Sequence, residues 1–133
     1  MKTILLATIL CFSTILCLGQ TQRDMDDSAF ANYNTVDKEL NSVYQHILKE
    51  YHDDTAFIRN FKIAQRLWIQ FRDAEVKAKY PDRPDGYGSV QPMCWAIYIT
   101  GLTQERINEL KEWTDGIEEG DVCIGSVKMK RAK

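Results

Sequence analysis

The feature that most constrains this chain is a run of apolar side chains at helical spacing between residues 57 and 78. Phe57, Phe61, Ala64, Trp68, Phe71, Ala74 and Ala78 recur at intervals of four and three, which places them on one side of a helix. A stripe this long and aromatic predicts a core-facing seam that must pack against another helix. Asp53 or Asp54 can cap its N-terminus, and Pro81 stops it, because the residue before a proline is driven out of the helical region.

The flanking segments read the same way. Val36, Leu40, Val43, Ile47 and Tyr51 repeat at four, three, four and four, which predicts an earlier helix with Asn34 or Thr35 at its start. A third helix is expected from about Gln91 to Trp113, with Met93, Ala96, Ile97, Leu102, Ile107, Leu110 and Trp113 as its apolar positions. Gly116 should end it. Gly101 interrupts it at a cost of about 1 kcal/mol relative to alanine, which points to close packing there. The stretch from Tyr80 to Pro92 holds all three prolines, Pro81, Pro84 and Pro92, with Gly86 and Gly88, so it is expected as a loop. No strand-like alternation or internal repeat is present. The expected fold is all-α, a compact three-helix antiparallel arrangement with a loose C-terminal tail.

The N-terminus carries the compartment signal. Met1 and Lys2 precede an apolar run from Ile4 to Leu18 that ends at Cys17-Leu18-Gly19-Gln20. Small residues at Cys17 and Gly19 suit a signal peptidase, so cleavage is expected after Gly19. The run of about 15 residues is short for a membrane span, which needs about 20. A retained anchor is the alternative. Lipidation fits less well, since Cys11 and Cys17 each follow a leucine. The expected organisation is a signal peptide (1–19), a flexible acidic leader (20–32), a helical domain (33–115) and a flexible tail (116–133). The location is periplasmic or secreted.

Loss of Lys2 with the signal leaves 16 basic residues against 19 acidic ones, a net charge of −3. That balance argues against nucleic acid, which calls for a concentrated basic stripe. The basic stretch Lys128–Lys133 is short and reads as a solvated tail.

Catalytic and metal signatures do not emerge. His46 and His52 are six apart, on different helix faces, and do not make a His-x-x-x-His pair, so they are read as exposed helix residues. No catalytic residue, metal site or cofactor is assigned. Cys94 and Cys123 remain after signal removal, and an even count in an exported chain suggests a disulfide. The helix from Cys94 to Trp113 advances about 28 Å, and the ten residues to Cys123 reach back about 33–36 Å. A bond therefore requires a tail lying nearly straight along the helix; a free or intermolecular thiol is the other reading.

Four blocks, Asp37–Tyr44, Ala64–Glu75, Gly88–Met93 and Leu102–Leu110, together resemble the LprI-like lysozyme inhibitor family. Asp37–Tyr44 is similar to its Leu-Asn-x-x-Tyr opening. Ala64-Gln65-Arg66-Leu67-Trp68-Ile69-Gln70-Phe71-Arg72-Asp73-Ala74-Glu75 is similar to its Ala-Gln-x-x-Trp-x-x-(aromatic)-Arg-Asp segment. Gly88–Met93 and Leu102–Leu110 resemble its last two blocks. The likeness covers about residues 37–113. It implies an exported helical domain and, for some members, inhibition of lysozyme. Two family cysteines are replaced, one by Val76 and one near Ile97 or Tyr98, so the resemblance implies joint loss of a bond typically contributing about 2–4 kcal/mol.

The expected function is binding without catalysis, with a glycan hydrolase such as lysozyme as partner. An inhibitor loop would enter a cleft containing two carboxyl groups. The only long loop, Tyr80–Gln91, offers Arg83, Tyr87 and Ser89 as contacts; a plain connecting turn is the competing reading. Two rivals stand beside this one. The first is an envelope protein–protein interaction or immunity module with a non-lysozyme partner, and the second is an enzyme acting on envelope material.

Overall fold

A computed structural model describes the backbone of residues 2–118, 120 and 122–130, and side chains from residue 21 onward. Three helices account for the regular structure: α1 (Lys2–Glu50), α2 (Thr55–Lys79) and α3 (Gln91–Asp115). The apolar run 4–18 and the cleavage position after Gly19 fall where only the helical backbone is described, and Arg131–Lys133 lie outside the described residues.

Successive helices run antiparallel, so α1 and α3 share a direction. Phe30 of α1 stacks on Trp95 of α3 at 5.9 Å near one end, while Tyr51 and Trp113 meet at 6.0 Å near the other. The α1–α2 turn is set by Asp54, whose carboxylate accepts from the Phe57 N–H at 2.9 Å. That bond satisfies one of the orphan donors at the start of α2. At the far end of α2, Tyr80 precedes Pro81 and is the last residue bonded back to the helix.

Residues 20–32, expected as a flexible leader, lie within the helix α1. Their acidic composition is no obstacle, because Asp24 and Asp27 face solvent while Gln22 bonds Asp26 one turn on. Phe30 and Tyr33 supply the apolar contact that holds this part of the helix to α3, both reaching Trp95 at 5.9 Å. Asn34 and Thr35 therefore lie within the helix and start nothing; the Thr35 hydroxyl donates to the carbonyl of Ala31.

The core centres on Val36, Leu40, Ile47, Tyr51, Phe57, Phe61, Ile107 and Leu110. The α1 pattern places its residues as expected. The α2 stripe does so only at its beginning: Phe57 and Phe61 are buried and Trp68 is half-buried, but Ala64, Phe71, Ala74 and Ala78 are exposed. The buried face runs instead through Gln65, Arg72 and Val76. A row averaging 3.5 residues per step, as this one does from Phe57 to Ala78, drifts by about 20° per heptad on a straight helix. Two polar residues can occupy the inner face because each meets a partner there. Gly101 also departs from expectation: it is exposed, and a Cβ added to it would meet nothing within 4 Å.

Gly116 ends α3 at φ +76°, a left-handed value that favours glycine. A Cβ there would come within 2.8 Å of the Lys128 carbonyl oxygen, because the chain returns to this point. Beyond α3 the described residues form no helix or strand, apart from one parallel bridge between Ile117 and Met129. The segment is tied to the bundle at Lys128, whose N–H donates to the Tyr51 hydroxyl and whose ammonium reaches the Glu50 carbonyl.

Candidate functional site

Two groups of side chains carry the sequence signals for function, and they occupy different parts of the molecule. The first is the Gln65, Trp68, Arg72 and Asp73 set. Arg72 is buried, with Nη1 3.3 Å from Asp37 of α1 and Nη2 3.0 Å from Asp73. Its guanidinium carbon sits 5.4 Å from the Trp68 ring centroid, and that of Arg106 from α3 lies 5.7 Å away. Arg106 in turn donates to the Gln65 side-chain oxygen at 3.2 Å and to Glu109 at 2.9 Å. One aromatic ring and two guanidiniums thus join α1, α2 and α3. Each cation gains from the ring face and keeps a carboxylate or amide partner, as a buried charge must. This cluster has the geometry of a scaffold, with its functional atoms already spent on one another.

The second group is the Tyr80–Gln91 loop. Gly86 (φ +61°) and Gly88 (φ +78°) make its reversals, with the Gly86 N–H donating to the Arg83 carbonyl and the Gln91 N–H to that of Gly88. The loop is held by a stack of rings. Tyr80 meets Tyr87 edge-on at 5.8 Å and Tyr98 edge-on at 6.3 Å. Cations cover the stack: Lys79 lies 3.6 Å from the Tyr98 centroid and Arg83 lies 5.2 Å from that of Tyr87. The Tyr80 hydroxyl donates to the Cys94 carbonyl at 3.4 Å, and burial pushes its pKa above the ordinary value, with the neighbouring Cys94 and Tyr98 adding to the rise.

The residues singled out in the loop therefore have different situations. Arg83 and Ser89 are exposed, while Tyr87 is half-buried and its hydroxyl is shielded from solvent without a hydrogen-bond partner. Tyr87 anchors the loop, and Arg83 and Ser89 are the groups it presents. Sequence reading missed Tyr80, Tyr98 and Lys79 as members of this assembly. A signal was available in the tyrosines on either side of the proline-glycine stretch.

Cys94 and Cys123 are not joined by a disulfide; Cys94 is half-buried in the first turn of α3 and Cys123 is exposed in the tail. The tail turns back across the Tyr51–Trp113 end of the bundle and does not run along α3. Cys94 is at the opposite end of that helix, about 32 Å from Asp115 at 1.5 Å per residue, far beyond the roughly 7 Å Cα separation a bridge permits. Val76, at the position where the resemblance implies a cysteine, is buried.

A groove of about 720 Å³ lies at the tail end, bounded by His46, Glu50, His52, Asp115, Lys128 and Lys130. Its polar groups are largely engaged already: His46 lies 3.5 Å from Glu50, Lys128 lies 3.6 Å from Glu50, and Lys130 pairs with the neighbouring Glu118. Among the described residues no cluster of three or more His, Cys, Asp or Glu could hold a metal ion.

Comparison with known proteins places these observations in a family. No curated protein matches the sequence. A crystal structure of a DUF1311 family protein from Pseudomonas putida KT2440 is similar in fold, at 21% identity and a TM-score of 0.57, covering 67% of this chain and 89% of that one. The family model described as lysozyme inhibitor LprI matches residues 17–110, reaching well before the helix start that periodicity suggested. The chain belongs to the LprI lysozyme inhibitor family.

Proposed function

We propose that this protein is an exported, non-catalytic binder of a glycan hydrolase such as lysozyme, and that the Tyr80–Gln91 loop is the element that blocks the enzyme. Family membership supports the class of activity. The observation that favours this loop is its ring stack, which fixes a polar loop at one end of the bundle while leaving Arg83 and Ser89 exposed. A rigid loop binds with less loss of conformational freedom than a floppy one. Lysozyme-type enzymes work with two carboxyl groups in a sugar-binding cleft. A guanidinium is the side chain best suited to engage a carboxylate there, through two parallel hydrogen bonds.

Export is part of the same reading. The apolar run Ile4–Leu18 with a small-residue cleavage site at Cys17-Leu18-Gly19 supports a removable signal, and cleavage after Gly19 would leave α1 beginning at Gln20. The reading needs no cofactor. Titrating lysozyme with the purified protein in a peptidoglycan lysis assay tests it. Dose-dependent loss of lysis, saturating near one inhibitor per enzyme, is the expected result; undiminished lysis at large excess of folded protein would refute inhibition of that enzyme.

A further inference from the structure

The outward side of α2 carries a feature that neither the core nor the loop uses. Ile63, Leu67, Phe71, Ala74 and Ala78 follow one another at spacings of four, four, three and four, and all are exposed. The three large ones are 48%, 58% and 57% exposed. The row from Ile63 to Ala78 is about 22 Å long at 1.5 Å per residue. Alongside it, one helical step away, stand Arg59, Lys62, Arg66 and Lys77, also exposed. Among the described residues none of these four cations has a carboxylate partner, whereas Lys111, Lys128 and Lys130 on other elements all do. The acids of α2 offset the row only in part: Asp73 stands one turn before Lys77 but is paired with Arg72, and Glu75 is half-buried beside Phe71, on the flank of the row away from the cations.

We infer that this face of α2 binds reversibly to the surface of an anionic phospholipid bilayer. Charge complementarity selects the occupant. Beside the row stand four exposed cations, Arg59, Lys62, Arg66 and Lys77, against the single exposed acid Asp73, a local excess of +3 within a chain of net charge −2. Two copies meeting through this face would oppose their own positive rows, so a second copy is disfavoured. The apolar row is a single ridge, which suits a deformable planar interface; at its cationic edge Lys62 and Arg66 also border a groove shared with Asp37 and Tyr44 of α1. An exposed apolar stripe bordered by Lys and Arg is the pattern of helices that lie in the headgroup layer. Attachment would be peripheral, since no helix among the described residues is long and apolar enough to cross a membrane.

The test is co-sedimentation of the protein, as exported and with its N-terminus read by mass spectrometry, with vesicles. Pure phosphatidylcholine vesicles are compared with an equimolar mixture with phosphatidylglycerol. Residues 1–19 would bind lipid on their own if retained, so the variants carry the discrimination. Each cation near an anionic surface strengthens binding about fivefold at moderate salt. Lys62→Glu with Arg66→Glu should therefore weaken association with the anionic vesicles by at least about tenfold, and Leu67→Ser with Phe71→Ser should weaken it comparably. Both pairs are exposed, so circular dichroism should show unchanged helicity. Equal binding to neutral and anionic vesicles, or variants that bind like the parent, would overturn the inference. So would absence of vesicle binding; if the same variants then lost hydrolase inhibition, the face would belong to the protein partner.

Discussion

At the end of the bundle where α1 turns into α2, Tyr51, Phe57, Phe61 and Trp113 form a closed cluster, with ring centroids as near as 4.6 Å. At the opposite end Tyr80, Tyr87 and Tyr98 stack more loosely, at 5.8 and 6.3 Å, beneath Lys79 and Arg83. The same kind of side chain does different work in the two places. In the first cluster the rings are shielded by three helices, and the one buried hydroxyl is satisfied twice: Tyr51 donates to the Trp113 carbonyl at 2.9 Å and accepts from the Lys128 N–H at 3.0 Å. In the second the rings stiffen an exposed loop, and the Tyr87 hydroxyl is left without a partner. The contrast separates the part of the molecule that holds the fold from a part whose polar loop stays exposed.

The largest effect should come from the closed cluster. Phe61→Ala removes a buried ring that stacks on Phe57 and Tyr44, and should cost about 3–5 kcal/mol by denaturant unfolding. A loss under about 1 kcal/mol would mean that this end is no more a core than the loop end. Next is the Arg72 lock. Arg72→Met keeps the stem packing and removes the charge, and should cost about 1–2 kcal/mol, because Asp37 and Asp73 remain partly solvated and are not stranded. Inhibition by the folded fraction should be unchanged. Lost inhibition at full stability would instead move the site to the motif.

Tyr51 gives a smaller effect with a pH signature. Burial pushes its pKa above the ordinary phenol value, the Lys128 N–H opposes that rise, and Glu50 adds to it. The folded state therefore keeps a proton that the unfolded chain releases near pH 10. The associated stability is present in full below that pH and is lost as pH climbs toward the raised folded value. Tyr51→Phe should lower stability at neutral pH by about 1–2 kcal/mol through its two hydrogen bonds. It should also flatten the alkaline decline, read by melting temperature against pH. An unaltered alkaline slope would point to Tyr33 or Tyr80, which are raised by burial as well. The smallest change is a gain. Gly101→Ala meets open space within α3, and should raise stability by about 0.5–1 kcal/mol; a loss would show a contact at this position.

How much of this was legible in advance follows from where each residue finds its partner. The α1 row from Val36 to Tyr51, the Asp54 cap, the Pro81 stop and the Gly116 terminus all depend on neighbours within a few residues, and local pattern was sufficient. The second half of α2 was misjudged because Gln65 and Arg72 look like surface residues until Arg106 and Asp37 arrive from other helices. Phe71 and Ala74 look like core until the helix rotation turns them outward. Residues 20–32 read as a leader because their helix is held mainly by Phe30 and Tyr33 on Trp95, a contact more than sixty residues away in sequence. The loop was found by its prolines and glycines. Its division into an anchor, Tyr87, and presented groups, Arg83 and Ser89, could not be, because it depends on how Tyr80 and Arg83 cover the Tyr87 ring.

The placement of the inhibitory contact is tested most directly by the lysozyme lysis assay run with Arg83→Ala and Ser89→Ala combined, beside the parent protein and Arg72→Met. The loop variant should melt within about 0.5 kcal/mol of the parent and inhibit at least about tenfold less well, the equivalent of about 1.4 kcal/mol of binding, while Arg72→Met should inhibit normally once folded. A loop variant that inhibits as strongly as the parent would contradict the placement of the inhibitory contact at Tyr80–Gln91.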